Sequence, residues 1–187
     1  MSIGSVQTQF FHINEPFFLD SGQSFESLTL AYETYGTLNA EASNAILVFH
    51  ALTGSQHAAG INKADPEATP LWSSECVLGW WDSFIGPEKA LDTNRYFIIC
   101  ANYIGGCYGS TGPRSINPAT GKPYGSQFPQ VTAWDVVHSQ LNLLDHLGID
   151  CLHAAIGSSL GGMLAILLAT RRPQRVNKVI PIATGLQ

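Results

Sequence analysis

Charge is what this chain has least of. Lys and Arg number 9 and Asp and Glu 14 among 187 residues, 12% charged against 45% hydrophobic, for a net charge of −5. So thin a charged coat implies that part of the surface is covered, by further chain or by a partner. The longest basic cluster is Arg171-Arg172, which excludes the clustered cations that nucleic acid demands; at a helix end such a pair complements the dipole. No apolar run approaches a membrane span. The first residues, Met-Ser-Ile-Gly-Ser-Val, have neither the basic nor the apolar region of a signal peptide. The four cysteines (76, 100, 107 and 151) show no C-x-x-C spacing, so no zinc or other metal site is expected. Cys100 and Cys151 fall in strand-like runs and read as small buried hydrophobes. No Asn-x-Ser/Thr sequon occurs. Together these absences point to a reducing, cytoplasmic setting with neither nucleic acid nor membrane as partner.

What is present reads as one α/β domain. Strands are expected at residues 8–12, 28–35, 45–50, 95–102, 152–156 and 179–182. The second alternates as a half-buried antiparallel strand does, and the third is continuously apolar, as in a parallel sheet covered on both sides. Thr132 caps a helix that runs to Leu147 and is closed by Gly148; a second helix runs from Leu160 to about Arg171, stopped before Pro173. This order implies right-handed crossovers and a mostly parallel sheet with helices on both faces. Residues 58–89 and 103–129 are long irregular segments, and loops of that length usually serve or cover a site.

Gly157-Ser-Ser-Leu-Gly161 fits Gly-x-Ser-x-Gly, and it lies between a buried strand and a helix, where a nucleophile elbow belongs. The frame selects Ser159: Ser158 has Ile156 and Leu160 where glycines are needed. So tight a turn puts the serine in a strained conformation and leaves no space for flanking side chains. A serine hydroxyl needs a general base within hydrogen-bond reach. The developing oxyanion needs backbone donors, and the candidates are the N–H groups of Leu160, opening the helix, and of Leu52, in the loop after the strand at 45–50, a position that reads equally as the start of an ordinary strand-to-helix loop.

All six histidines precede Ser159, and no acid follows Arg175, whereas elbow enzymes of this type place acid and base after the serine. His138 and His146 read as surface residues and His153 as a core residue. His50 and His57 flank the proposed oxyanion loop without an evident orienting carboxylate. The expectation is therefore an N-terminal portion, truncated after the strand that follows the nucleophile helix, with the acid, the base and the lid beyond Gln187. Two glycine-rich stretches fail as phosphate cradles: Thr120-Gly-Lys-Pro-Tyr124 lacks the Ser or Thr after Lys, and Gly105-Gly-Cys-Tyr-Gly109 opens a loop, not a helix.

Longer motifs are more specific than the elbow. His50-Ala-Leu-Thr-Gly54, Gly79-Trp-Trp-Asp82, Asp92-Thr-Asn-Arg-Tyr-Phe97, Gly105-Gly-Cys-Tyr-Gly-Ser-Thr-Gly-Pro113 and Ser115-Ile-Asn-Pro-Ala-Thr-Gly-Lys-Pro-Tyr124 resemble the homoserine O-acyltransferases, chiefly the O-acetyltransferases, from about Leu30 onward. The family commonly has Met where Leu160 stands, which leaves a backbone role intact. The resemblance implies an α/β-hydrolase fold, a Ser159 nucleophile with Leu52 and Leu160 as oxyanion donors, and no bound cofactor. It also implies acetyl-CoA or succinyl-CoA as acyl donor, L-homoserine as acceptor in methionine biosynthesis, and a homodimer at full length. Acyl transfer must exclude water, and the two long segments, with Trp80 and Trp81 in the first, are expected to wall the site. A serine esterase of the same fold, and an inactive fragment, stay open as alternatives.

Overall fold

The computed structural model describes residues 2–63 and 71–185; Pro66 and Pro70 of the first long segment lie outside them. Six strands, β1 (Gln9–Ile13), β2 (Leu28–Tyr35), β3 (Ala45–Phe49), β4 (Phe97–Ala101), β5 (Ala154–Ser158) and β6 (Val179–Ile182), form one sheet in the order β1-β2-β4-β3-β5-β6. β4, β3, β5 and β6 run parallel; β1 and β2 are added antiparallel at one edge. All five residues of β3 are buried, as its unbroken apolar run requires for a central strand.

Among the described residues, two α-helices, α1 (Ala133–His146) and α2 (Leu160–Arg171), complete the framework. α1 begins with a capping box: Thr132 Oγ1 accepts from the Asp135 N–H, and the Asp135 carboxylate accepts from the Thr132 N–H at 2.7 Å. It ends in a Schellman motif. Gly148 sits at φ 72°, its N–H reaches the Asp145 carbonyl, and the Ile149 N–H reaches that of Leu144.

The sheet is mostly parallel, but among the described residues no α-helix covers its second face. Val137, Leu141 and Leu144 of α1 and Leu164, Ala165 and Leu168 of α2 share one core with Leu47, Phe49, Ile99 and Ala155. The alternate residues Ile46, Val48, Ile98, Cys100 and Ile156 face the other way, against Ala58, Ala59 and Ile85, with Trp80 and Trp81 beside them. The strand order explains this. The connections β4 to β5 and β5 to β6 advance in one direction across the sheet, so right-handed crossovers put both helices on the same face. The connection β3 to β4 moves the opposite way and must cover the other face. It is the irregular segment after His50 that does so.

Among the described residues, no helix is long and apolar enough to cross a membrane.

Candidate active site

In register, Phe49 lies beside Gly157 and Ser158 beside Ile182, so the ends of β3, β5 and β6 meet at one edge of the sheet. The chain leaves β5 through Ser159 and enters α2 at once. Ser159 takes φ 53° and ψ −121°, a region that costs a residue with a side chain about 1–3 kcal/mol. Its N–H donates to the Ile182 carbonyl at 3.0 Å, and its own carbonyl accepts from the Gly162 N–H at 3.0 Å. The flanking glycines are required by contact. A Cβ on Gly157 would collide with the Gly161 carbonyl, and one on Gly161 with the carbonyl oxygens of Phe49 and His50. The start of α2 thus rests directly on the end of β3.

That approach brings the loop after β3 beside the helix N-terminus. The Gly54 N–H donates to the Ala51 carbonyl at 2.9 Å, closing a turn with Leu52 and Thr53 at its centre. Leu52 and Leu160 line one cavity of about 710 Å³. Among the described residues, neither of their N–H groups donates to another backbone or side-chain group. Ser159 itself is exposed, its hydroxyl without a hydrogen bond among the described residues, and it is not one of the cavity's lining residues. Helix α2 opens here with uncommitted N–H groups and the positive end of its dipole, an arrangement suited to developing negative charge.

The far wall comes from the second long segment and the start of α1, including Tyr103, Tyr108, Pro113, Phe128, Thr132 and Val136. The first long segment contributes no lining residue among those described: Trp80 and Trp81 pack on the opposite sheet face. Of the two segments expected to wall the site, only residues 103–129 line this cavity among the described residues. Among the described residues, no Lys, Arg, Asp or Glu lines the cavity. Among the described residues, no three His, Cys, Asp or Glu side chains are grouped to hold a metal ion.

The histidines depart from expectation in two places. His57 does have a carboxylate: its Nδ1 lies 2.8 Å from Glu33, with both side chains buried. Glu33 was signalled by its place in Leu28-Thr-Leu-Ala-Tyr-Glu-Thr-Tyr35, on the same strand face as the buried Ala31 and Tyr35, but its partner lies 24 residues away. His153 is only partly buried, before β5 begins. Its Nε2 accepts from Lys178 Nζ at 3.2 Å, and burial, then Lys178 and Arg95, lower its pKa. Cys151 likewise lies outside the strand and half-buried, whereas Cys100 is buried, its thiol pushed well up by burial and then by Glu33. His138 and His146 are on the surface, stacked on Trp134 and Phe11.

His50, at the end of β3, is 2% exposed. Burial lowers its pKa to about 4, against the opposing pull of its hydrogen bond to the Ala51 carbonyl. Tyr103, whose ring stacks on His50, is raised by burial first and by Cys100 second.

The sheet with its elbow and paired helices has the layout of a large family, and residues 44–186 match that family's sequence model, described as alpha/beta hydrolase fold. The chain belongs to the alpha/beta hydrolase fold family. Within it, the chain is 54% identical over 184 residues to the homoserine O-acetyltransferase of Methanohalobium evestigatum, covering 98% of this chain and 36% of that one. It is 51% identical over 184 residues to the homoserine O-succinyltransferase of Pseudomonas putida, covering 98% and 46%. The chain thus spans less than half the length of either relative. Two crystal structures superpose with a TM-score of 0.86, each over 97% of this chain and 48% of the other: an esterase at 40% identity and the homoserine O-acetyltransferase of Bacillus anthracis at 38%.

Proposed function

We propose that this chain carries the nucleophile of an acyl-CoA-dependent homoserine O-acyltransferase, with Ser159 as the attacking residue and the Leu52 and Leu160 N–H groups as oxyanion donors. The observation that carries the reading is the strained Ser159 turn, set between a strand end and a helix start, beside a cavity lined by two residues, Leu52 and Leu160, whose N–H groups are uncommitted among the described residues. The curated relatives, named for homoserine O-acetyl and O-succinyl transfer, support the substrate class.

In the first half-reaction the Ser159 hydroxyl gives its proton to a general base and Oγ attacks the thioester carbonyl. The oxyanion that forms is held by Leu52 and Leu160. Each such donor contributes typically about 10²–10³ in rate. The carbon–sulfur bond then breaks, the thiol leaves with a proton, and an ester remains on Ser159. In the second half-reaction the homoserine hydroxyl loses its proton, attacks that ester and releases Oγ, which recovers a proton. The described residues place no His–Asp pair on the Ser159 hydroxyl, so the reading assigns the base and its acid to parts of the protein outside this chain. The same holds for the charges that would meet a homoserine carboxylate or CoA phosphates, because among the described residues no charged side chain lines the cavity.

The esterase neighbour, as similar in fold as the acetyltransferase, keeps a second reading in view, in which water accepts the acyl group. One assay separates them. In the enzyme that contains this chain, free thiol released from acetyl-CoA or succinyl-CoA is followed with and without L-homoserine. Homoserine-dependent release, abolished by Ser159→Ala, is the expected result. Release that ignores homoserine would establish the hydrolase, and release that survives Ser159→Ala would remove Ser159 from the chemistry.

A further inference from the structure

The peptide joining Ala51 to Leu52 is held by its oxygen. Ala51 O accepts from the Gly54 N–H at 2.9 Å and from His50 Nδ1 at 2.7 Å. A carbonyl oxygen only accepts, so Nδ1 carries the proton. Burial keeps the ring neutral near physiological pH, its pKa at about 4, which leaves Nε2 as a bare lone pair. That atom is indeed buried and without a partner among the described residues. A bare buried acceptor is a standing cost to stability, and it is the consequence of committing the one ring proton to Ala51.

The ring cannot turn away. It stacks on Tyr103 with centroids 3.7 Å apart and 17° between planes, and the Tyr103 hydroxyl donates to the His50 carbonyl at 2.5 Å. Opposite, glycine at 54 is obligatory for the fit: a Cβ there would stand 2.9 Å from His50 Cβ and 3.2 Å from Nδ1.

A trans peptide is planar, and its C=O and N–H point in opposite directions; no peptide among the described residues is cis. The two bonds that fix Ala51 O therefore also fix the direction of the Leu52 N–H. We infer that His50 is a positioning residue for acyl transfer, clamping the Ala51 carbonyl so that the Leu52 N–H stays aimed at the site of the oxyanion. The inference rests on the proposed role of Leu52.

Three substitutions in the enzyme containing this chain test it. His50→Phe keeps a ring on Tyr103 and removes the donor. His50→Asn keeps an N–H near the Nδ1 position. Leu52→Pro deletes the N–H itself at the second position of a turn, where proline fits, and the Leu52 side chain is 77% exposed.

His50→Phe should lower kcat for thiol release by about 10- to 100-fold, within the range of one lost oxyanion donor. The KM for homoserine should stay within about two-fold, and His50→Asn should recover most of the rate. Added to Leu52→Pro, His50→Phe should cost nothing more, since the group it aims is gone. Full activity in Leu52→Pro would refute the role of Leu52. If Leu52→Pro is slow but His50→Phe is silent in the parent enzyme, or multiplies the loss when added to Leu52→Pro, Leu52 keeps its role and the inference about His50 is overturned. Should His50→Phe fail to fold, His50→Leu against His50→Asn, each on both backgrounds, decides the same question.

Discussion

Glu33 and His57 pair at 2.8 Å with side chains 0% and 1% exposed, between the antiparallel edge of the sheet and the segment that follows the Leu52 turn. Glu33 Oε1 accepts from Thr8 Oγ1 at 2.9 Å and Asn62 Nδ2 at 2.6 Å; Oε2 accepts from the Tyr35 hydroxyl at 2.8 Å and from His57 Nδ1. Nε2 of His57 donates to the Val77 carbonyl at 3.0 Å. Four donors saturate one carboxylate. The Tyr35 hydroxyl accepts in turn from the N–H groups of Ala58 and Ala59, so residues 56–62 are pinned to β2 at several points.

Breaking a satisfied buried pair from one side leaves the other side uncompensated. Glu33→Gln should therefore destabilise the fold by about 3–5 kcal/mol, while the double variant Glu33→Leu/His57→Leu should lose less than the sum of the singles. Urea unfolding midpoints at constant m would show it. A loss under about 1 kcal/mol in Glu33→Gln would mean that the pair contributes little.

Strain at Ser159 predicts an order of stabilities that opposes function. Alanine at 159 keeps a Cβ at φ 53° and ψ −121°; glycine does not, and gains from release of strain more than it loses in backbone entropy. Ser159→Gly should melt above Ser159→Ala, by about 1 kcal/mol of stability, with both devoid of thiol release. Equal melting, or the reverse order, would show that the turn is unstrained. The complementary variant, Gly157→Ala, forces a Cβ onto the Gly161 backbone and should melt well below the parent.

At the cavity wall, the start of α1 offers a smaller test. Thr132→Ala removes one acceptor from a half-buried turn and should cost about 1 kcal/mol. Asp135→Ala should cost more, because that side chain is 1% exposed and also accepts from the Asp20 N–H at 2.9 Å. Equal losses in thermal melts would mean that the tie to Asp20 adds nothing.

How far the sequence could be read follows the range of the interactions. β3, α2 and the turn between Gly157 and Gly161 were legible because each is written in contiguous residues: an unbroken apolar run, a Gly-x-Ser-x-Gly frame, a proline after the helix. β5 was expected two residues early, at Leu152, because its apolar run begins there. Pairing with Phe49 and Ile182 carries the strand on to Ser158 instead. The Glu33–His57 pair and the stacking of His50 on Tyr103 were not legible, since each joins residues more than twenty positions apart that only the sheet brings together. Trp80 and Trp81 were misplaced for the same reason. Nothing local in Gly79-Trp-Trp-Asp82 says which sheet face a left-moving connection must cover.

The depressed pKa of His50 gives a pH dependence with a definite sign. Its value is about 4 in the folded chain against an ordinary 6.5, so between those limits the unfolded chain binds a proton that the folded chain refuses. Stability attributable to this residue is complete above pH 6.5 and falls as the pH drops through the window to about 4. The slope is at most about 1.4 kcal/mol per pH unit. Replacing His50 with Asn, which keeps a donor but does not titrate, should flatten that slope. The stability difference between parent and His50→Asn, read from urea midpoints, should shift against the parent by about 2.5 kcal/mol from pH 7.5 to pH 4.5. All other titrating groups are shared by the two proteins and cancel in the comparison. A difference that stays level across the window would show that the imidazole is not held neutral, and the assignment of its single proton to Nδ1 would fall with it.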